Sequence, residues 1–119
     1  MFNCSHAPCG LRSALTLVGD RWSILLLRDL LDGPCRFTEL QRSLTGISPR
    51  TLAQRLRTLE TEGLITKQVF AEVPPRVEYT LTERGHSLHG IIDQLRQWGE
   101  HVERERSHRQ ATPEALRYT

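Results

Sequence analysis

The chain has 119 residues, enough for one small domain with a core but not for two. Hydrophobic residues make up 38% of it, a low share that suits an elongated helical protein hiding apolar surface against a second copy. The net charge of +2 does not by itself mark a nucleic-acid binder, because clustering decides that. No apolar run reaches membrane-span length, and no basic segment followed by an apolar stretch opens the chain, so neither a membrane span nor a signal peptide is read. Three cysteines, an odd number, argue against a secreted disulfide framework and for a cytoplasmic protein with reduced thiols.

Residues 1–10 read as an irregular arm. A short helix follows over Leu11 to Val18, with Leu11, Ala14, Leu15 and Val18 at helical spacing. Gly19-Asp20 breaks it, and Asp20 can cap the next helix. Trp22 to Leu31 is almost entirely apolar, which predicts a central helix buried on most faces, ended by Gly33-Pro34. Phe37 to Leu44 is the first helix of a turn motif, with Phe37, Leu40 and Leu44 inward and Thr45-Gly46 as the turn. Ser48 is a good N-cap, and Pro49 suits the first helical position, where its missing N–H costs nothing. Leu52, Leu56 and Leu59 line the core side of that second helix, and Gly63 stops it. Leu64 to Phe70 and Val77 to Leu81 are strand-like. Between them Ala71 to Arg76 forms a loop stiffened by Pro74-Pro75. Thr82 caps a last helix, in which Leu88, Ile91, Ile92, Leu95, Trp98 and Val102 keep the helical period. The structured domain is expected over 11–106, and 107–119 reads as a disordered tail.

Helix, turn, capped helix, strand, loop, strand is the order of a winged helix-turn-helix, mainly helical with a small β-hairpin wing. From Arg50 to Arg76 there are five basic residues (Arg50, Arg55, Arg57, Lys67, Arg76) against three acidic ones (Glu60, Glu62, Glu72). With Leu52, Leu56 and Leu59 inward, a rotation of about 100° per residue turns Arg50, Gln54, Arg57, Thr58 and Thr61 outward and puts Thr51 and Arg55 on a flank. Arginine can be bidentate to guanine and glutamine to adenine, and threonine or serine reaches bases or phosphates. The helix start adds unpaired N–H groups that favour phosphate. The candidate DNA contacts are therefore Ser48, Pro49, Arg50, Thr51, Gln54, Arg55, Thr58 and Arg76. A polar outer face is also what any solvated helix has, and it is the turn, the cap and the wing that favour DNA. Arg55 has a second reading, pairing with a carboxylate of its own domain. Arg76, placed at the hairpin tip, would reach phosphates or a narrow minor groove; its alternative is an exposed arginine that limits edge pairing. Lys67 reads as a solvated strand lysine, and Glu78 as a structural partner for a basic residue of the wing or helix.

These residues resemble the HxlR-type transcriptional regulators, a winged-helix group related in architecture to the MarR type. The likeness rests on Cys9, Leu15, Val18-Gly19-Asp20-Arg21-Trp22, Ile24 to Leu27, Gly33 and Arg36-Phe37-Thr38-Glu39-Leu40. It continues through Gly46-Ile47-Ser48, Leu52, Leu56, Leu59 to Ile65, Pro74-Pro75-Arg76-Val77-Glu78-Tyr79, Leu81 to Gly85 and Trp98-Gly99, over roughly residues 9 to 103. The resemblance implies a MarR-like homodimer held by the N- and C-terminal helices. Leu15, Ile91, Ile92, Leu95, Trp98 and Val102 would lie at its interface. It implies two recognition helices on a pseudo-palindromic operator in double-stranded DNA, usually for repression and sometimes for activation. Independently, the last helix carries more apolar surface than one small domain needs, although those residues could instead close the monomer core.

Cys9 occupies the family position that in several members senses oxidants, quinones or aldehydes. Gly10 stands where the family often has proline. Arg12 and the helix start would favour the thiolate, with Cys4 as a resolving partner; the alternative is a small apolar residue at a helix start. Cys35 reads as an exposed thiol without a role. Cys4, His6 and Cys9 form only part of a metal set, since zinc takes four ligands and the other histidines lie far along the chain. No metal and no cofactor are expected. No nucleophile–base set or phosphate loop in motif context points to an enzyme. Double-stranded DNA, a second copy and a small-molecule or electrophile effector are the expected partners. A winged-helix module for protein–protein contact is the competing reading.

Overall fold

The computed structural model describes residues 9–110. The expectations for Cys4 and His6 and for 111–119 lie outside the described residues. Helix α1 spans Gly10–Val18 with Cys9 as its N-cap, and ends where the Gly19 N–H donates to the Leu15 carbonyl at 2.7 Å. Asp20 opens α2 (Ser23–Leu30) by accepting the Trp22 and Ser23 N–H groups, both at 3.0 Å. It fills the orphan donors of a helix start, as an N-capping carboxylate does. Leu26, Leu27 and Leu30 of α2 are buried, while Ile24 and Leu25 are half-buried. The helix expected to be buried on most faces thus buries one broad face.

A two-residue strand, β1 (Cys35–Arg36), comes next and was not foreseen. It pairs antiparallel with the later strand β3 (Arg76–Leu81), Cys35 against Tyr79 and Arg36 against Glu78. Two residues are too short to carry an alternating pattern. Helix α3 (Phe37–Ser43) follows, its first turn tied by the Glu39 carboxylate accepting the Arg36 N–H at 2.8 Å. Gly46 turns the chain at φ +93°, a value that favours glycine. Helix α4 (Pro49–Thr61) is then the second helix of the turn motif. Strands β2 (Ile65–Phe70) and β3 (Arg76–Leu81) form the wing hairpin, in register from Ile65 opposite Leu81 to Phe70 opposite Arg76. The sheet order is β1-β3-β2. Leu26, Leu30, Leu40, Leu52, Leu56, Leu59 and Ile65 are almost fully buried, so α2, α3, α4 and the root of β2 share the core that carries the reading helix.

The last helical region divides in two. Thr82 caps a one-turn α5 (Glu83–His86), with the Gly85 N–H donating to its hydroxyl at 3.1 Å. A separate helix, α6, runs over His89–Gln110. It therefore extends four residues past the expected boundary at 106. Within α6, Ile91, Leu95 and Trp98 are exposed, Trp98 at 66%, and Val102 is half-buried. Ile92, expected with them at a dimer interface, is buried in the single chain. Arg96 bridges Asp93 at 2.7 Å and Glu100 at 2.8 Å along the same helix. Among the described residues no helix is long and apolar enough to cross a membrane.

Candidate nucleic-acid interface

The reading surface starts from the cap of α4. Ser48 Oγ accepts the Thr51 N–H at 3.1 Å, and its own proton goes to Thr51 Oγ1 at 2.9 Å. Pro49 takes the first helical position. The two hydroxyls expected to touch DNA are thus engaged with each other, and their first role is to fix the helix start. Leu52, Leu56 and Leu59 are buried, which sets the rotation as expected. Arg50, Gln54, Arg57, Thr58 and Thr61 are exposed on the far side. Thr58 donates to the Gln54 carbonyl at 3.1 Å. Arg50, Gln54 and Arg57 carry no side-chain hydrogen bond or ion pair among the described residues. They recur at i, i+4 and i+7, one stripe of the helix surface.

The far end of α4 is held from a distance. Gly63, at φ +77°, reverses the chain, and Leu64 N–H returns to the Leu59 carbonyl at 2.9 Å. The Thr82 hydroxyl donates to the Gly63 carbonyl at 2.5 Å, and Arg84 Nη1 donates to the Glu62 carbonyl at 2.9 Å. Gly85 packs so closely that a Cβ there would lie 2.2 Å from the Leu64 carbonyl oxygen. Carbonyls left over at a helix C-terminus need donors, and this small cluster supplies them. In the sequence Thr82 is legible as a helix cap, but the tie from Thr82 and Arg84 back to the end of α4 is not. Their partners lie about twenty residues upstream, beyond any local periodicity.

Arg55 does not face outward. Its Nη1 lies 3.7 Å from Asp20 Oδ1, which realises the second of its two readings. Asp20 also accepts a short hydrogen bond from the Ser23 hydroxyl. Burial works to raise the Asp20 carboxyl, but the bonds from Ser23 and Trp22 and the charge of Arg55 outweigh it and hold it below its ordinary value.

Arg76 is likewise not where it was expected. It is the first residue of β3, opposite Phe70, and the hairpin tip is Ala71 to Pro75. Its guanidinium stacks over the Phe70 ring, 3.8 Å from the centroid. It bridges Glu72 at 3.0 Å and makes a shorter pair with Glu78. Hydrogen bonding to Arg76 pulls the Glu72 carboxyl below its usual value, and the same carboxylate raises Arg76 above its own. The wing's arginine is therefore neutralised inside the hairpin, and Glu78 has the structural role expected of it. Lys67 is exposed and is the unpaired cation of the hairpin among the described residues. Val73 at the tip is fully exposed.

The cysteines divide. Cys9 takes part in a disulfide at the N-cap of α1. Cys35 is free and half-buried in β1, not exposed. Burial raises its thiol pKa, and Glu39, Asp29 and Asp32 push it in the same direction. Both effects disfavour the thiolate, which is the reactive form.

With the capped helix, the short helix before it and the hairpin after it in place, the chain matches the model of a protein family, HxlR-like helix-turn-helix, over residues 17–107. The chain belongs to the HxlR-like helix-turn-helix family. A helix-turn-helix transcriptional regulator from Methanothermobacter thermautotrophicus, itself uncharacterised, is 46% identical over 91 residues, covering 76% of this chain and 70% of that one. The regulator YodB of Bacillus subtilis is 39% identical over 90 residues, covering 76% and 80%. Among solved structures, a MarR-family protein from Porphyromonas gingivalis W83 superposes with a TM-score of 0.79 at 34% identity, covering 83% of this chain and 97% of that one. The oxidised form of the redox regulator HypR superposes with a TM-score of 0.74 at 39% identity, covering 77% and 95%. This member of the HxlR-like family is a helix-turn-helix transcriptional regulator with a MarR-like winged-helix fold, not an enzyme.

Proposed function

We propose that this regulator binds a pseudo-palindromic operator as a homodimer, laying one α4 from each copy into successive major grooves, and that it acts chiefly as a repressor in the cytoplasm. The reading is carried by the unpaired stripe of Arg50, Gln54 and Arg57 on a helix whose opposite face is locked in the core. Arg50 and Gln54, on the first turns, supply bidentate donors suited to guanine and adenine. Arg57, further along, grips phosphate. A single recognition helix buries too little surface for tight specific binding, and two-fold symmetry doubles it. The exposed Leu11, Leu15, Ile91, Leu95 and Trp98 support a second copy as their cover. Cys9, in a disulfide at a helix N-cap, supports a response to oxidants or electrophiles, and the likeness to the redox regulator HypR agrees with it. A small-molecule effector is the alternative input.

The test is fluorescence anisotropy of the reduced protein on labelled DNA from upstream of its own gene, titrated with salt against scrambled competitor, with and without diamide. Tight binding of two chains per duplex that survives competitor and weakens steeply with salt is expected, and diamide should release it. Cys9→Ser should bind as the reduced protein does and ignore diamide; a surviving response removes Cys9 as the sensor. Weak binding blind to sequence at every DNA tried would instead favour an interaction module that kept the fold.

A further inference from the structure

Arg55 sits on the reading helix yet points away from the reading face. Its charge goes to Asp20, a residue already committed elsewhere. Asp20 Oδ2 takes both N–H groups at the start of α2, and Oδ1 takes the Ser23 hydroxyl and faces Arg55. Ser23 is itself almost completely buried. One carboxylate therefore ties together the break after α1, the start of the core helix α2 and the flank of α4. The far end of α4 has its own fixing through Thr82 and Arg84. The flank of its middle turns has this pair.

We propose that Arg55 is a positioning residue rather than a DNA contact: through Asp20 it sets the orientation in which α4 presents Arg50 and Gln54 to the bases. This deepens the operator-binding reading above and rests on it. The physical reason is tolerance. Side chains that read base edges must be held within roughly 0.5 Å and 10–20° of their working geometry. A helix held only by three buried leucines can still rock about its own axis. A charged tether on its flank opposes that motion, because rotation pulls the guanidinium from an Asp20 fixed by three other bonds.

The experiment compares wild type, Asp20→Asn, Arg55→Gln, Arg55→Lys and the Asp20→Asn/Arg55→Gln double variant. For each, affinity for operator and for scrambled DNA is measured across salt. Asparagine keeps the capping oxygen for α2, while its amide NH2 replaces the charged Oδ1 that accepts the Ser23 hydroxyl and faces Arg55. Each single variant is expected to lower the operator-over-scrambled ratio by a similar factor, on the order of tenfold, with the double variant no worse than either. The slope against salt should stay unchanged, and Arg55→Lys should recover most of the ratio. Should Arg55→Gln instead reduce the salt slope by about one while Asp20→Asn binds as well or better, Arg55 grips phosphate and the proposal fails. Additive losses in the double variant also overturn it. Thermal melts of all five identify a variant that does not fold, and Arg55→Gln decides alone if Asp20→Asn is lost. If wild type binds no DNA specifically, the operator reading falls. The tether is then judged by NMR titration of the Asp20 carboxyl in wild type and Arg55→Gln, where an unchanged midpoint refutes it.

Discussion

The reading helix and the wing both carry arginines and use them in opposite ways. On α4, Arg50 and Arg57 are exposed and without partners among the described residues. On the hairpin, Arg76 is spent on Glu72, Glu78 and the Phe70 ring. The difference follows from secondary structure. On α4 the acidic residue, Glu60, comes only at the C-terminal end, out of reach of Arg50, and no ion pair joins it to Arg57 among the described residues. In a hairpin, Glu78 stands two residues on along the same strand face and Phe70 directly opposite, so an arginine at position 76 finds partners at once. Basic residues in a sequence therefore mark an interface only when the fold leaves them unpartnered. Arg55 too has a carboxylate beside it, 3.7 Å away on Asp20.

That contrast can be broken first through the buried side of α4. Leu56→Ala empties a site that is 2% exposed and should cost about 2–5 kcal/mol of stability, read by denaturant unfolding. A loss under about 1 kcal/mol would mean that the core does not hold this helix as described. Next in size is Arg50→Ala, expected to weaken operator binding by about 1–3 kcal/mol and to relax preference at one base step. Equal weakening on all sequences would assign Arg50 to phosphate alone. Ser48→Ala removes the cap and should cost about 1 kcal/mol of stability in thermal or chemical unfolding, with Thr51 losing its anchor. Unfolding that matches wild type would show the cap to be dispensable. Smallest is Arg76→Ala, which should weaken DNA binding less than Arg50→Ala and leave the salt slope intact. Its direct mark is the Glu72 carboxyl, which should rise toward its ordinary value in an NMR titration. A lost unit of salt slope would put Arg76 back on the phosphates.

Acid sharpens the comparison of Asp20 with its neighbours. Its folded carboxyl lies below the ordinary value, so its contribution is present above that value and disappears as pH falls through the depressed one. Wild type and Asp20→Asn should therefore differ in stability near neutrality and converge at strongly acidic pH. A gap that persists there would mean the charge is not what matters.

Much of the reading surface was legible in the chain. Ser48-Pro49 followed by Leu52, Leu56 and Leu59 states a helix start, its rotation and its end at Gly63, because capping and the helical period act within a few residues. The β1 strand escaped notice because two residues have no period. The division of the last helical region at Ser87-Leu88 and the burial of Ile92 were invisible to a pattern that continues smoothly across them, and the extension of α6 to Gln110 lies beyond the last apolar residue of that pattern. The placement of Arg76 at the tip failed because strand register, not loop length, decides where a hairpin turns.

The sequence by itself determined the fold class, the family and the face of α4 that turns outward, since each rests on local propensity, period and the order of motifs. Only the tertiary structure decided which charged residues remain available. Arg55 and Asp20 are 35 positions apart, and Arg84 and Glu62 are 22 apart. Whether such groups meet depends on how α2, α4 and the start of α5 pack around shared leucines, and no local rule carries that information.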